Sequence, residues 1–282
     1  MTIAIALKVG DGVVLGADSA STLMSDQGVA NVYFNAEKIC NLRKGLPIGM
    51  VTYGLGGIGG RSVTSLAKDL RERFTSGEPD WHLDPAGYTI ELVADRLRTF
   101  FYDELYTPQF ANLPDGAGFQ PMGFYVAGFS AQHAHAEVWQ VEINGDGTCG
   151  PPKCVMGPDL AGIHWSGQPE ALNRLIRGFT QEAHQRLVDA GASPDAAAQV
   201  ILQDAQVSHP AMPIQDAIDL VYYLVEVTSG FVRFSAGAPT VAEPIDIAAI
   251  TKHERFRWVR RKHYYDPALN PPRGWYDSSS EE

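Results

Sequence analysis

The sequence predicts an antiparallel α+β fold, and three observations carry the prediction. A β-branched hairpin opens the chain, the hydrophobic period changes from strand to helix at Arg61, and strands and helices come in groups rather than in regular alternation. A doubly wound parallel sheet would interleave a helix with each strand.

Residues 3–9 and 13–17 are rich in β-branched and small apolar side chains and are joined by Gly10-Asp11-Gly12, a strong turn signal between such runs. A second pair of apolar runs, 38–42 and 46–53, is broken by Arg43-Lys44-Gly45 and ends in the glycine-rich stretch 54–60. From Arg61 onward Val63, Leu66, Ala67, Leu70 and Phe74 fall at helical spacing. Ile90, Val93, Ala94, Leu97, Phe100 and Phe101 do so again after Asp84-Pro85. Phe100, Phe101 and Tyr102 suit a core or an interface equally well. Strand signals return over 122–129 and 135–143, closed by Asn144-Gly145-Asp146-Gly147. Helical patterns cover 170–188, 196–207 and 214–227, and a last strand covers 245–250. Patterning limits the fold to α+β and does not fix the number of layers.

With 282 residues and 45% hydrophobic content, the chain can bury a large core, and no Ser/Gly-rich or charge-block linker divides it. One domain is expected over 1–282, with its core in 2–250 and an extension over 251–282. The extension carries Phe256, Trp258, Tyr264, Tyr265, Trp275 and Tyr276, an aromatic density that points to an interface.

A net charge of −11 leaves no basic footprint for nucleic acid, which needs clustered Lys and Arg to neutralise phosphates. The one basic cluster, Arg257, Arg260, Arg261 and Lys262, is read as a solvated or subunit-facing segment. The start, Met1-Thr2-Ile3-Ala4, has no charged and apolar leader pattern, and no run suits a membrane span, so a cytoplasmic protein is expected. Cys40, Cys149 and Cys154 are expected as reduced thiols. His133 and His135, placed on one strand face, have no third ligand nearby, so neither a metal nor a cofactor is expected.

Thr2-Ile3-Ala4-Ile5-Ala6-Leu7-Lys8, followed by Asp11-Gly12-Val13-Val14-Leu15-Gly16-Ala17-Asp18-Ser19, resembles the opening of proteasome β subunits and HslV-type peptidases. This resemblance implies the Ntn-hydrolase αββα four-layer sandwich. It also implies that Thr2 becomes an N-terminal nucleophile once Met1 is removed, with Asp18 and Lys38 as its catalytic partners. Tyr53-Gly54-Leu55-Gly56 is similar to the family segment whose first glycine donates an oxyanion-hole N–H, which implies that role for Gly54. Thr22 and Gly56 then fall at substrate-binding positions. Ser166-Gly167-Gln168 is similar to the motif at the start of the third family helix, where a serine supports the threonine amine.

Singly, Thr2 reads as the start of a strand, Asp18 as a turn cap and Lys38 as an edge charge. The chemistry needs all three together. A threonine hydroxyl is a poor nucleophile until a base takes its proton, and a free α-amine with a pKa of about 8 can be that base within the same residue. The sequence departs from the family pattern over 238–244, where the family's aspartate and serine have no aligned counterpart and Thr240 is the available hydroxyl. Asp216, Asp219 and Ser229 stand as spatial substitutes.

The expectation is a threonine peptidase acting on peptides or proteins within a homo-oligomeric ring or related assembly, with an ATPase partner left open. A small-amide Ntn amidohydrolase and a non-catalytic, proteasome-like structural subunit are the alternatives.

Overall fold

The structure, a computed structural model, describes residues 2–25, 28–77, 79–111, 118–180, 182–201 and 205–262. Tyr264, Tyr265, Trp275 and Tyr276 of the extension, and residues 112–117 of the loop after Tyr106, lie outside the described residues.

The opening hairpin forms as the sequence predicts, with β1 (Ile3–Val9) and β2 (Gly12–Ala17) paired from Ala4↔Ala17 to Val9↔Gly12. A two-stranded ribbon that patterning did not reveal follows, β3 (Ser21–Ser25) with β4 (Gly28–Tyr33). Next come β5 (Ile39–Asn41) and β6 (Ile48–Gly54), then a short ladder of β7 (Gly57–Ile58) and β8 (Arg61–Ser62). Helix α1 (Val63–Ser76) starts where Ser62 Oγ accepts from Ser65 N at 3.2 Å, and α2 (Ile90–Arg98) where Thr89 Oγ1 accepts from Leu92 N at 3.1 Å. Each cap satisfies one of the amides that a first helical turn leaves unpaired.

After α2 the backbone widens into π-type turns over Thr99–Tyr106 and ends in α3 (Thr107–Phe110). Phe100 and Phe101 are buried there, and Tyr102 Oη donates to Gly147 O at 3.2 Å, so the trio serves the core. Four strands follow: β9 (Met122–Phe129), β10 (Ala136–Ile143), β11 (Lys153–Met156) and β12 (Gly162–Gly167). His133 and His135 fall in the turn ahead of β10 rather than on a strand face.

The expected helix over 170–188 is interrupted. It divides into α4 (Glu170–Leu172), a wide-turned stretch Asn173–Arg177 ended by Gly178 at φ +75°, and α5 (Ala183–Asp189). A left-handed glycine is a common helix terminator. Helix α6 (Pro194–Ile201) precedes α7 (Ile214–Phe234), which runs well past residue 227. The chain returns in β13 (Asp246–Thr251) and β14 (Arg255–Arg260). The extension placed after residue 250 therefore begins as a sheet strand, because Phe256 and Trp258 alternate inward between arginines.

Two antiparallel five-stranded sheets result, ordered β12-β1-β2-β13-β14 and β11-β10-β9-β6-β5. Strand β1 shows how they stack. Ile3, Ile5, Leu7 and Val9 face α4 and α7, whereas Ala4 and Ala6 face Val51, Tyr125 and Val138 of the other sheet. Helices α1 and α2 cover the far side of that second sheet. This is the αββα four-layer sandwich. Gly16 lets α7 lie close on β2, since a Cβ there would meet Val221 Cγ1 at 2.2 Å.

Candidate active site

The hairpin register decides where the site lies. Ala4 faces Ala17, so Thr2, just ahead of β1, and Asp18, just past β2, meet at the open end of the hairpin. Thr2 Oγ1 donates to Asp18 Oδ1 at 2.9 Å. The same oxygen accepts from Ile3 N at 3.0 Å and from Lys38 Nζ at 2.6 Å, with Lys38 arriving on the residue before β5. Oδ2 accepts from Ala20 N at 2.9 Å and Ala242 N at 3.3 Å.

All three side chains are buried. A buried ion pair is tolerable only when its remaining lone pairs are satisfied, and the backbone amides around Asp18 do this. Burial pulls the Lys38 amine below its ordinary value, against the opposing pull of Asp18 and with the nearby Lys262 pushing the same way as burial.

A cleft of about 370 Å³ opens beside Thr2, walled by Tyr53, Gly54, Met122, Trp165, Ser166 and Gly167. Gly54 ends β6 at φ +82°, and a Cβ there would come within 2.3 Å of Pro121 O. Only glycine fits such a position without strain. Gly167 packs against the Thr2 carbonyl, which accepts from Gln168 N at 2.7 Å.

Ser166 differs from its expected setting. It lies on β12 opposite Ala4 rather than at a helix start, because residues 162–167 extend to pair with β1. Its Oγ hydrogen-bonds Tyr125 Oη at 2.7 Å. Burial pushes that phenol up to about 12, so it keeps its proton at neutral pH.

Segment 238–244 reaches the site through its backbone. Ala242 N binds Asp18, Ser19 N donates to Ala242 O at 3.0 Å, and Gln168 Nε2 donates to Thr240 Oγ1 at 3.3 Å. Ser229 Oγ donates to Val241 O at 3.4 Å and steadies the same segment. Asp216 lies in the first turn of α7, and Asp219 accepts from Gln215 at 2.9 Å. Backbone amides at this place carry no residue-type signature, which is why the sequence showed only a departure.

The basic cluster is solvated as expected at Arg257 and Arg260, and the correction concerns its last two members. Lys262 is buried at its side chain, and Arg261, still partly exposed, pairs with a buried carboxylate. Lys262 Nζ donates to Ser19 Oγ at 2.6 Å and pairs with Asp246 Oδ2, while Lys262 N donates to Asp246 Oδ1 at 3.0 Å. Arg261 donates to Glu37 Oε1 from Nε at 3.1 Å and from Nη2 at 2.5 Å. Both glutamate and aspartate are buried, so the cations that follow β14 are drawn in to match them.

Thr22 lies on β3 opposite Val32, and Gly56 O accepts from Val63 N at 3.0 Å. Gly56 belongs to a second, larger cleft of about 840 Å³, which it shares with Ser21, Glu37, Lys68, Arg261 and Lys262. Gly54 thus borders one cleft and Gly56 the other.

No family model matches the chain. Two curated proteins described as DNA protection during starvation protein, from Mycolicibacterium smegmatis and its strain ATCC 700084 / mc(2)155, are 28% identical over 116 residues, 39% of this chain and 62% of theirs. The chain therefore spans less than two thirds of the length of those relatives. Among solved structures, Anbu (ancestral beta-subunit) from Yersinia bercovieri matches with a TM-score of 0.51 and 12% identity, covering 93% of this chain and 88% of that one. An Anbu (Gly-1) mutant from Hyphomicrobium sp. strain MC1 matches with a TM-score of 0.50 and 16% identity, covering 93% and 86%. At such identities the likeness shows the fold.

These neighbours correct the resemblance to proteasome β subunits and HslV-type peptidases, since Anbu proteins are proteasome-like but a distinct group. The resemblance was close over the first strands and rested on short motifs elsewhere, whereas the fold comparison covers 93% of the chain. Among the described residues, no helix is long and apolar enough to cross a membrane.

Proposed function

We propose that the chain hydrolyses peptide bonds with Thr2 as an N-terminal nucleophile, its amine freed by removal of Met1. The observation that carries this reading is the meeting of Thr2 Oγ1 and Lys38 Nζ on one oxygen of Asp18, beside an open cleft.

In the proposed sequence the Thr2 amine takes the hydroxyl proton as Oγ1 attacks the substrate carbonyl carbon. The oxyanion that forms accepts from Gly54 N–H, an interaction commonly worth about 3 kcal/mol per donor. The amine then passes its proton to the leaving nitrogen, and water, deprotonated by the same amine, releases the acyl group from Oγ1. Lys38 keeps positive charge near the amine and favours its neutral, basic form. Asp18 holds Lys38 in place and fixes the Thr2 side chain. Ser166 stands at the cleft wall as a support for the amine, anchored by Tyr125. Thr22 and Gly56 flank the path of the substrate backbone.

The retained ion pair and its full set of donors favour a working site over a subunit that has lost its chemistry. The proposal treats the chain as one domain that works as a homo-oligomer in the cytoplasm, in keeping with neighbours described as an ancestral beta-subunit. A net charge of −11 remains unsuited to a nucleic-acid partner.

The test joins intact-mass measurement of the cellular protein with capture by a threonine-directed electrophile. A chain starting at Thr2 that takes one equivalent of label, with label and peptide turnover both lost in Thr2→Ala, is the expected outcome. Full retention of Met1, or undiminished turnover in Thr2→Ala, overturns the assignment.

A further inference from the structure

The basic cluster that the sequence sets apart in an otherwise acidic chain does not enter the chemistry just described. Two of its members, Arg261 and Lys262, line the larger cleft. That cleft contains three cations, Lys68, Arg261 and Lys262, and one carboxylate, Glu37. Asp246 outside the lining matches Lys262. Glu37 takes two of the five guanidinium N–H groups of Arg261 and one contact from Lys68, at 3.5 Å. One buried carboxylate is thus faced by two cations that are partly exposed, Lys68 and Arg261, with side-chain exposures of 45% and 36%. The remaining donors are hydroxyls and an amide, among them Ser21, Ser62 and Asn35. A neighbouring cleft shares Lys68 and Arg261 and adds Lys44, Arg71, Arg255 and Arg257 against Glu254. Basic side chains thus collect around these two clefts on a protein whose net charge is −11.

The cleft is tied to the nucleophile at three points. Gly56 on its rim is two residues from Gly54. Glu37 on its wall precedes Lys38. Lys262 bonds Ser19, which follows Asp18.

We propose that this cleft is a specificity subsite for an acidic side chain, a glutamate or aspartate at the residue whose carbonyl Thr2 attacks, with Arg261 and Lys68 as the specificity-determining residues. This rests on the hydrolase reading above. A backbone lying along Thr22 and Gly56, with its carbonyl at Thr2 Oγ1, delivers that side chain to the cleft mouth. A carboxylate there meets a planar guanidinium already positioned by Glu37 and by stacking on Trp258, 4.8 Å from its ring centroid. An apolar side chain would strip water from these cations without replacing it, and a basic one would meet like charge.

Binding is measured with the Thr2→Ala full chain and short peptides capped at both ends, ending in Glu, Leu or Arg, so that hydrolysis plays no part. The Glu peptide is expected to bind about tenfold more tightly than the Leu peptide and more tightly still than the Arg peptide, with the preference weakening as salt rises. Arg261→Gln should erase most of the preference. Lys68→Gln, at a more exposed position that leaves the Arg261–Glu37 pair intact, should reduce it several-fold and guards against misfolding of the first variant. Equal binding of the three peptides, a Leu or Arg preference, or a Glu preference untouched by Lys68→Gln and a folded Arg261→Gln overturns the proposal. A hydrolysis failure in the unsubstituted chain beside intact Glu selectivity would instead count against the nucleophile assignment alone.

Discussion

Thr2 and Lys38 are joined through a single atom: the hydroxyl of one and the amine of the other both donate to Asp18 Oδ1, at 2.9 and 2.6 Å. Neither can shift without disturbing the other's acceptor, so the three residues form one device.

Replacing either end should therefore remove most turnover, and the losses should not add. Thr2→Ala with Lys38→Ala is expected to be no slower than Thr2→Ala alone, as with other groups that act together. Asp18→Asn should cost stability as well, about 3–5 kcal/mol, because it leaves a buried ammonium without its counter-charge. Peptide turnover and urea unfolding of the single and double variants measure both effects. Additive losses, or an Asp18→Asn protein as stable as its parent, would dissolve the unit.

Gly54→Ala should slow turnover by up to about a hundredfold, the scale of losing an oxyanion donor. Its Cβ would meet Pro121 O at 2.3 Å in a left-handed conformation, so the backbone must shift and carry the N–H with it. A stability loss of about 1–2 kcal/mol should accompany the change. Steady-state kinetics on the folded variant check this, and a kcat within twofold of the parent would remove Gly54 from the mechanism.

Cys40 supplies a pH signature. Burial raises its thiol from 9.0 to about 11, with Arg71 pulling the other way. A raised folded pKa contributes stability that is complete below 9.0 and lost as pH climbs through about 11. Lys38, lowered from 10.5, acts with the opposite sign: its folded form binds fewer protons, so its contribution grows with pH up to the unfolded value. Comparing unfolding midpoints of the parent and Cys40→Ala across the alkaline range isolates the thiol. The alkaline decline should flatten in the variant, and thiol labelling of the parent should reach exposed Cys154 first and buried Cys40 last. Identical pH profiles would show that Cys40 is not the group.

The first hairpin was legible because its β-branched runs and Gly10-Asp11-Gly12 turn specify pairing locally, and that pairing brings Thr2 to Asp18. Lys38 stood out only through the family resemblance, since by itself it reads as an edge charge ahead of another short strand. β12 was not: its pattern is half-buried along its length, and only pairing with β1 defines it. That pairing moves Ser166 from a helix start to a strand. β14 carried a signal that its arginines obscured, since Phe256 and Trp258 alternate with them as a strand face requires. Gly178 likewise marked the break in the helix over 170–188. The pairing of Arg261 and Lys262 depends on buried Glu37 and Asp246, partners that spacing along the chain cannot reveal.

Lys262 reaches Ser19 across 243 positions of sequence, whereas Lys38 reaches Asp18 across 20. During synthesis Thr2, Asp18 and Lys38 leave the ribosome early, and the local hairpin can bring Thr2 to Asp18 at small entropic cost. The Ala242 amide that completes the Asp18 contacts comes much later. The wall carrying Arg261 and Lys262 emerges far later and has a very long loop to close. On the proposed reading, a growing chain would carry Thr2, Asp18 and Lys38 well before the wall that bears Arg261 and Lys262, and selectivity would arrive only when the two distant parts of the polypeptide meet.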